Sequence, residues 1–339
     1  MHATPVHSAL DASRDPRTVL TNAVAAAILA PSSHNTQPWR FRIVGDVLEL
    51  RADPTRHLHV IDGDRRQLVQ SCGCALFNAR VAVRAMGFED RVTVMIADRG
   101  DAELLATLQL GSRTLTTETD HELVHAIAMR HTNRRAFLPR PVSAADGEHM
   151  IAAAACEGAW MVRLDPDEKY ELASVVDEAD QRQFDNPAFR DELAHWLTPL
   201  GSRRRDGIPF VEKEYGSRMP FAVMRALRTP ATGATLGAIE GARVDSSPLV
   251  AVIGTYSDDP TDWLASGQAL EAVLLHATAL GLSASFLNQA LELPALRGRV
   301  ADIVGSGSFP HMVLRLGYPV HPIEHAAPRR ALDEVLTIA

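Results

Sequence analysis

The sequence predicts an α+β fold of two similar halves, each a mixed β-sheet flanked by helices, related by a pseudo-twofold axis. Three observations predict it. Helical apolar patterns alternate with short β-branched runs along most of the 339 residues, a length suited to roughly two domains or one double-sized domain. Apolar residues make up 46 % of the chain, enough to bury a sizeable core. There is also an internal echo. GCALFNARVAVRAMG (73–87) overlies GQALEAVLLHATALG (267–281) at a constant offset of 194 residues, so that Gly73/Gly267, Ala75/Ala269, Leu76/Leu270, Ala85/Ala279 and Gly87/Gly281 coincide. A repeat of this kind suits a homodimer fused into one chain. The helices carrying the echo are expected to cross at the pseudo-twofold core. The halves are placed at 1–115 and 116–339.

The elements follow in order. Residues 16–30 form a helix, with Pro16 in the first turn, an apolar face from Val19 to Ala30, and Pro31 as its stop. A polar loop leads into alternation from Trp39 to Leu50, a strand pair turning at Gly45-Asp46. Residues 64–87 form a long apolar helix closed by Gly87, and Arg91 to Ala97 a strand. GSRTLTTETDHE (111–122) reads as a polar link. A short helix and RHTNRRAF (130–137) open the second half. A helix near 143–157, a strand near 159–164 and a long helical stretch over 166–197 come next. From Thr198 to Gly237 the chain is rich in Gly, Pro and Arg without a long period, an excursion with the character of a lid. A buried strand (248–259), a helix (262–281) and the tail segments SFLNQALELPALRGRV, HMVLRLGYP and PRRALDEVLTIA complete the chain.

Composition narrows the functional classes. A net charge of −8 and a sequence pI near 6.0 argue against a nucleic-acid or anionic-membrane partner. The three cysteines, Cys72, Cys74 and Cys156, are too few and too oddly spaced for a disulfide framework, and the first two read as small buried hydrophobes. The 14 histidines form neither HExxH nor a Cys/His cluster, so no metal site is expected. The N-terminal MHATPVHSALDASRD lacks an apolar signal core, and no run approaches the ~18 apolar residues of a membrane span. The expectation is a soluble cytoplasmic protein. GSG at 305–307 lacks the third glycine of a dinucleotide fingerprint, and no Walker A loop or nucleophile elbow is present. SRRR (202–205) reads as a solvated face that could also touch a nicotinamide phosphate, and Glu178, Asp180 and Asp185 as surface acids.

Two segments carry chemistry. APSSHNTQPWRF (30–41) packs short hydroxyl and amide side chains against a stiff Pro-Trp exit, more polar functionality than a plain turn requires. RHTNR (130–134) sets two guanidiniums, a hydroxyl and an amide within five residues, a donor set suited to a phosphate. The first resembles the A-P-S-x-x-N-x-Q-P-W segment of the nitroreductase superfamily of flavoenzymes, and the second that superfamily's R-x-[ST]-x-[RK] phosphate-binding segment. In ordinary members both lie in one subunit and each FMN touches both subunits of a dimer. Here they are divided between the halves, each half holding what the other lacks. That division resembles the Acg family of single chains with two nitroreductase-like halves. LGLSASFLNQALELPALR, PHMVLRLGYP and APRRALDEVL also resemble that family, and the likeness covers nearly the whole chain and is weakest over 198–237.

The resemblance implies a nitroreductase-like fold and a site for FMN. It implies that Pro31, Ser32, Ser33 and Asn35 contact the flavin from the first half, with Gln37 as an additional polar contact. It implies that Arg130, Thr132, Asn133 and Arg134 hold the phosphate, with Arg329 and Arg330 of the tail closing over it. It places Ser285, Phe286, Asn288 and Gln289 beside flavin N5, the two amides standing where the superfamily often has an acid and a glycine. No catalytic side chain is implied, because the flavin carries the chemistry. The implied activity is ping-pong hydride transfer from NADH or NADPH through N5 to a small nitroaromatic or quinone-like acceptor, by a monomer that mimics a homodimer. The competing reading is a non-catalytic FMN-sequestering protein whose lid closes the site. A third is a two-half protein with a degenerate site. The split motifs further imply one FMN per chain.

Overall fold

The computed structural model describes residues 15–96, 100–199, 202–210, 240–305, 307–321 and 326–339. Helix α1 (Pro16–Ala27) starts where the Asp15 carboxylate accepts the Thr18 N–H and proline occupies the first turn. A single 3-10 turn over Ser33–Asn35 leads into the hairpin β1 (Trp39–Val44) and β2 (Val47–Ala52), with Gly45 at φ 62° in its turn. Then come α2 (Arg66–Ala85), β3 (Phe88–Val94), β4 (Leu104–Arg113) and α3 (Glu118–Met129). The second half of the chain contributes α4 (Ala144–Cys156), β5 (Trp160–Arg163), α5 (Pro166–Asp185), α6 (Pro187–Trp196), β6 (Leu197–Pro199) and β7 (Ile208–Phe210). It ends with β8 (Leu249–Thr255), α7 (Pro260–Ala279), β9 (Ser283–Phe286), α8 (Pro294–Val304), β10 (Phe309–Gly317), α9 (Leu332–Val335) and β11 (Leu336–Ile338).

The first sheet runs β11-β1-β2-β4-β3 and is mixed, because the C-terminal β11 pairs parallel to β1 (Phe41 opposite Leu336) while the other pairs are antiparallel. The second runs β5-β8-β10-β9, its strands antiparallel, with one parallel bridge from Thr132 to Ala284 at its edge. Helices α2 and α7 share one core with the first sheet and one face of the second. A separate core, with Leu172, Val176, Val252, Leu291, Val300 and Val313, joins the other face of the second sheet to α5 and α8. Strand β8 is therefore buried on both faces, which explains its unbroken apolar run LVAVIGT.

Helices α2 and α7 cross at the two echo glycines. A Cβ on Gly73 would stand 2.3 Å from the Leu264 carbonyl oxygen, and a Cβ on Gly267 would stand 2.1 Å from the Gln70 carbonyl oxygen. Gln70 and Leu264 are themselves separated by the offset of the echo, so each glycine meets the counterpart of the residue that meets its mate. Reciprocity of this kind characterises a contact about a twofold axis.

Several expectations change. The expected link at 111–122 is the end of β4 followed by α3, whose Thr117–Asp120 capping box marks its start. The single helix expected over 166–197 breaks at Asn186, which ends α5 and caps α6 ahead of the N–H-less Pro187. The strand expected over 91–97 begins three residues earlier, at Phe88. Thr198, at the start of the expected excursion, lies in β6, which pairs parallel to β7; residues 211–239, the body of that excursion, lie outside the described residues. Asp180 is not a surface acid: it is 7 % exposed.

Candidate functional site

The loop after α1 holds three non-glycine residues at positive φ: His34 (50°), Asn35 (54°) and Gln37 (52°). Left-handed backbone at three such positions is costly and persists only where surrounding contacts over-determine it. Those contacts are present. Ser32 Oγ accepts the Gln37 N–H at 2.9 Å. The buried Gln37 amide donates to the carbonyls of Asn35 (3.2 Å) and Arg205 (2.8 Å) and accepts the Arg330 N–H (2.8 Å). Asn35 Nδ2 donates to the carbonyls of Gly207 (2.9 Å) and Pro328 (3.0 Å). Arg56 donates to the Thr36 carbonyl and pairs with Asp206. Strand β7's approach and the C-terminal tail thus clamp one loop from two sides.

The 130–134 segment leaves α3 at Arg130 and runs along the edge of β9, where the Asn133 N–H donates to the Ala284 carbonyl at 2.8 Å. It meets the first loop at one atom, the Leu29 carbonyl at the end of α1. Arg130 Nη2 donates to that oxygen at 3.0 Å and Arg329 Nη2 at 3.1 Å, cations on the negative end of a helix. Arg329 Nη1 also reaches Asn35 Oδ1 at 3.1 Å. Deeper still, Arg130 Nε lies 3.5 Å from Glu271 Oε1, both side chains being buried.

The electrostatics favour an anion here. Burial and the neighbouring Arg130 charge push the Arg329 guanidinium down to about 9. Burial and the Arg134 charge push His34 to about 4, and burial with Arg130 and Arg329 does the same to His131. Glu271 is the opposing acid, pushed up to about 7 by burial against the pull of Arg130. The Nε atoms of Arg130 and Arg329, His34 Nδ1 and both Glu271 carboxylate oxygens are buried without a hydrogen bond among the described residues. Arg134 has no hydrogen-bond or ion-pair partner there either. Crowded cations with donors left over are what an added dianion would relieve.

The structure therefore brings together the loop carrying Pro31, Ser32, Ser33 and Asn35, the Arg130–Arg134 segment with Thr132, Arg329, and Ser285 on the neighbouring strand. It turns others to structural work. Arg330 donates to the carbonyls of Gln37, Trp39 and Glu334. Asn288 ties the 3-10 turn at 288–291 to β10 by accepting the Val313 N–H at 3.0 Å and donating to Met312 Sδ. Gln289 donates to the Asp180 carboxylate at 3.3 Å, and Phe286 stays in the β9–β10 ladder opposite Leu314.

Sequence reasoning missed Glu271, Arg66, Gln67 and Glu292. Glu271, Arg66 and Gln67 are buried and Glu292 is partly buried. Glu271 and Glu292 show in sequence as single acids inside apolar runs, as in QALEL (289–293), whereas Arg66 and Gln67 lie in the polar GDRRQ (63–67), which carries no such signal.

No family model matches the chain. A Mycobacterium tuberculosis H37Rv protein provisionally named NAD(P)H nitroreductase Rv3131 is 32 % identical over 327 residues, covering 94 % of this chain and 90 % of that protein. A second protein of that strain, provisionally named NAD(P)H nitroreductase Acg, is 28 % identical over 330 residues, covering 94 % and 96 %. A solved nitroreductase-like protein from Bacillus cereus superposes loosely, at a TM-score of 0.41 and 16 % identity over 67 % of this chain and 99 % of its own. With 32 % identity to the first of these mycobacterial proteins over 94 % of its length, this chain belongs to the Acg family of the nitroreductase superfamily.

Proposed function

We propose that the chain is an FMN-dependent NAD(P)H oxidoreductase of nitroreductase type, with one FMN per chain. One observation carries the reading: the loop of the first half and the Arg130–Arg134 segment of the second converge, with Arg329, on the Leu29 carbonyl. The names of the curated relatives support the nicotinamide donor. The residues fit the cofactor, because buried Nε donors that make no hydrogen bond among the described residues and mutually repelling cations match a dianionic phosphate.

Arg130, Thr132, Arg134 and Arg329 would hold that phosphate, while Pro31, Ser32 and Ser33 would meet the ring and Asn35, its amide donating to the Gly207 and Pro328 carbonyls, would fix the shape of their loop. When bound, FMN supplies hydride acceptance and donation at N5, in ping-pong fashion, toward a nitroaromatic or quinone-like acceptor. The protein's own part is to bind, orient and exclude water. The reciprocal Gly73–Gly267 crossing supports a division at 1–115 and 116–339, with a monomer doing the work of a dimer. Among the described residues no helix is long and apolar enough to cross a membrane, and three unpaired cysteines suit a reducing cytoplasm.

A second reading is FMN sequestration. It draws on the clamp that ties Arg205, Asp206 and Gly207 to the ring-facing loop. An anaerobic NADPH titration of the flavin absorption band, with dithionite as control, separates the two. Bleaching by NADPH supports turnover; a band that only dithionite bleaches supports sequestration.

A further inference from the structure

Ser33, on the ring-facing loop, has one hydroxyl proton, and it is directed away from the site. Ser33 Oγ donates to Gln67 Oε1. The Gln67 amide cannot turn around, because its Nε2 donates to Glu292 Oε1 at 3.0 Å. Glu292 is in turn fixed by Gln183, whose Nε2 donates to its Oε2 at 2.5 Å. Gln67 and Gln183 are 3 % and 5 % exposed, so neither amide has water as an alternative partner. The chain of bonds runs from α5 through the turn after β9 and the first turn of α2 to the loop.

Resting on the FMN reading above, we propose that Glu292 is a positioning residue that, through Gln67, makes Ser33 an acceptor toward the cofactor. Its partner there is an N–H or O–H donor, the imide N–H of the flavin ring or the ribityl 2′-hydroxyl. An ionised carboxylate can only accept, so it dictates the direction of both bonds that follow. A protonated Glu292 could donate to the Gln67 oxygen, reverse the amide and release the Ser33 proton toward the ligand. Burial pushes the Glu292 carboxyl up to about 7, against the Gln67 and Gln183 bonds and the Arg66 charge of α2, which hold it down. Glu192 of α6 also faces it and raises it further. Asp180 of α5 faces it as well and, like Asp62 ahead of α2, is pushed to about 7. The informative quantity is therefore the difference between the wild type and a Glu292 variant.

The test is FMN dissociation, followed by flavin fluorescence between pH 5.5 and 8.5, for the full chain, Glu292→Gln, Ser33→Ala and the double variant. At pH 8, Ser33→Ala is expected to weaken FMN about 5–10-fold, the worth of one hydrogen bond. Glu292→Gln should weaken it comparably, and the double variant no further. Wild-type affinity should fall more steeply than that of Glu292→Gln as pH drops through 7. The Ser33→Ala step uses a half-buried side chain and survives even if the Glu292 variant does not fold. For it, 3-methyl-FMN and 2′-deoxy-FMN should each be compared with FMN, the analogue that loses the Ser33 effect naming the donor. Additive losses, an unchanged pH profile, or a Ser33→Ala loss that persists in both analogues would overturn the inference. Wild-type protein that fails to bind FMN would instead overturn the cofactor reading beneath it.

Discussion

Gly73 on α2 and Gly267 on α7 face each other so closely that a Cβ on Gly73 would stand 3.0 Å from the Cα of Gly267. The nearer obstacles on both sides are backbone carbonyls, which cannot swing aside as a side chain can. Gly73→Ala or Gly267→Ala should therefore destabilise the protein by about 1–3 kcal/mol through overpacking, although alanine has the better helix propensity. Urea unfolding at fixed pH measures it. A stabilising Gly267→Ala would mean that the helices part freely.

The phosphate assignment makes a comparison of arginines. Arg329 bridges the Leu29 carbonyl and Asn35, whereas Arg203 is exposed. Arg130→Ala and Arg329→Ala are each expected to raise the FMN dissociation constant at least tenfold, as befits a buried charge-assisted contact, and Arg203→Ala to leave it within twofold. Equal retention in all three would remove the phosphate from this site. Quantitative flavin release should give one FMN per chain.

The Arg56–Asp206 pair fastens β7's approach to the loop at 31–37, its two side chains 17 % and 18 % exposed. Asp206→Ala should speed FMN release several-fold with little change in urea midpoint, since the bond restrains a surface segment and not the core. Stopped-flow displacement of bound FMN by an excess apo-flavodoxin trap would read the rate. No acceleration would mean that the strained loop holds its shape without the clamp.

Stability should depend on pH in two opposed ways. Asp62, Asp180, Glu271 and Glu292 are pushed up to about 7 by burial. The folded state then binds more protons than the unfolded chain above ~4, so stability is lost as pH rises toward 7. His34, His131 and His276 are pushed down to about 4 and His311 to about 3. Here the unfolded chain binds more protons below ~6.5, so stability is gained as pH rises through that range. The two sets offset each other between about 4.5 and 6.5, and only the acids act above it. A flat plateau followed by a decline toward pH 8 is expected in urea midpoints, and Asp180→Asn should flatten that decline. A steady rise from pH 5 to 8 would show that these carboxyls ionise freely.

The sequence by itself determined the secondary structure wherever one face had to be buried: α1, α2, α7, the β1–β2 hairpin and β8 follow from apolar period and turn chemistry alone. It also determined the chemical character of 30–41 and 130–134, because their polar side chains are dense and local. It misjudged β4, whose alternation is diluted by Thr107, Gln109 and Gly111, and the helix over 166–197, where an asparagine-proline step outweighs a continuous helical period. Only the tertiary structure decided which polar groups are spent on the protein's own backbone. Gln37 and Arg330 look like contacts in sequence but satisfy the backbone, while Glu292 looks like one acid in an apolar run yet governs Ser33 through Gln67. The reason is that hydrogen-bond partners more than 200 residues apart, such as Gln67 and Glu292, leave no spacing to read. Their pairing exists only once the two glycine-lined helices have brought the halves together.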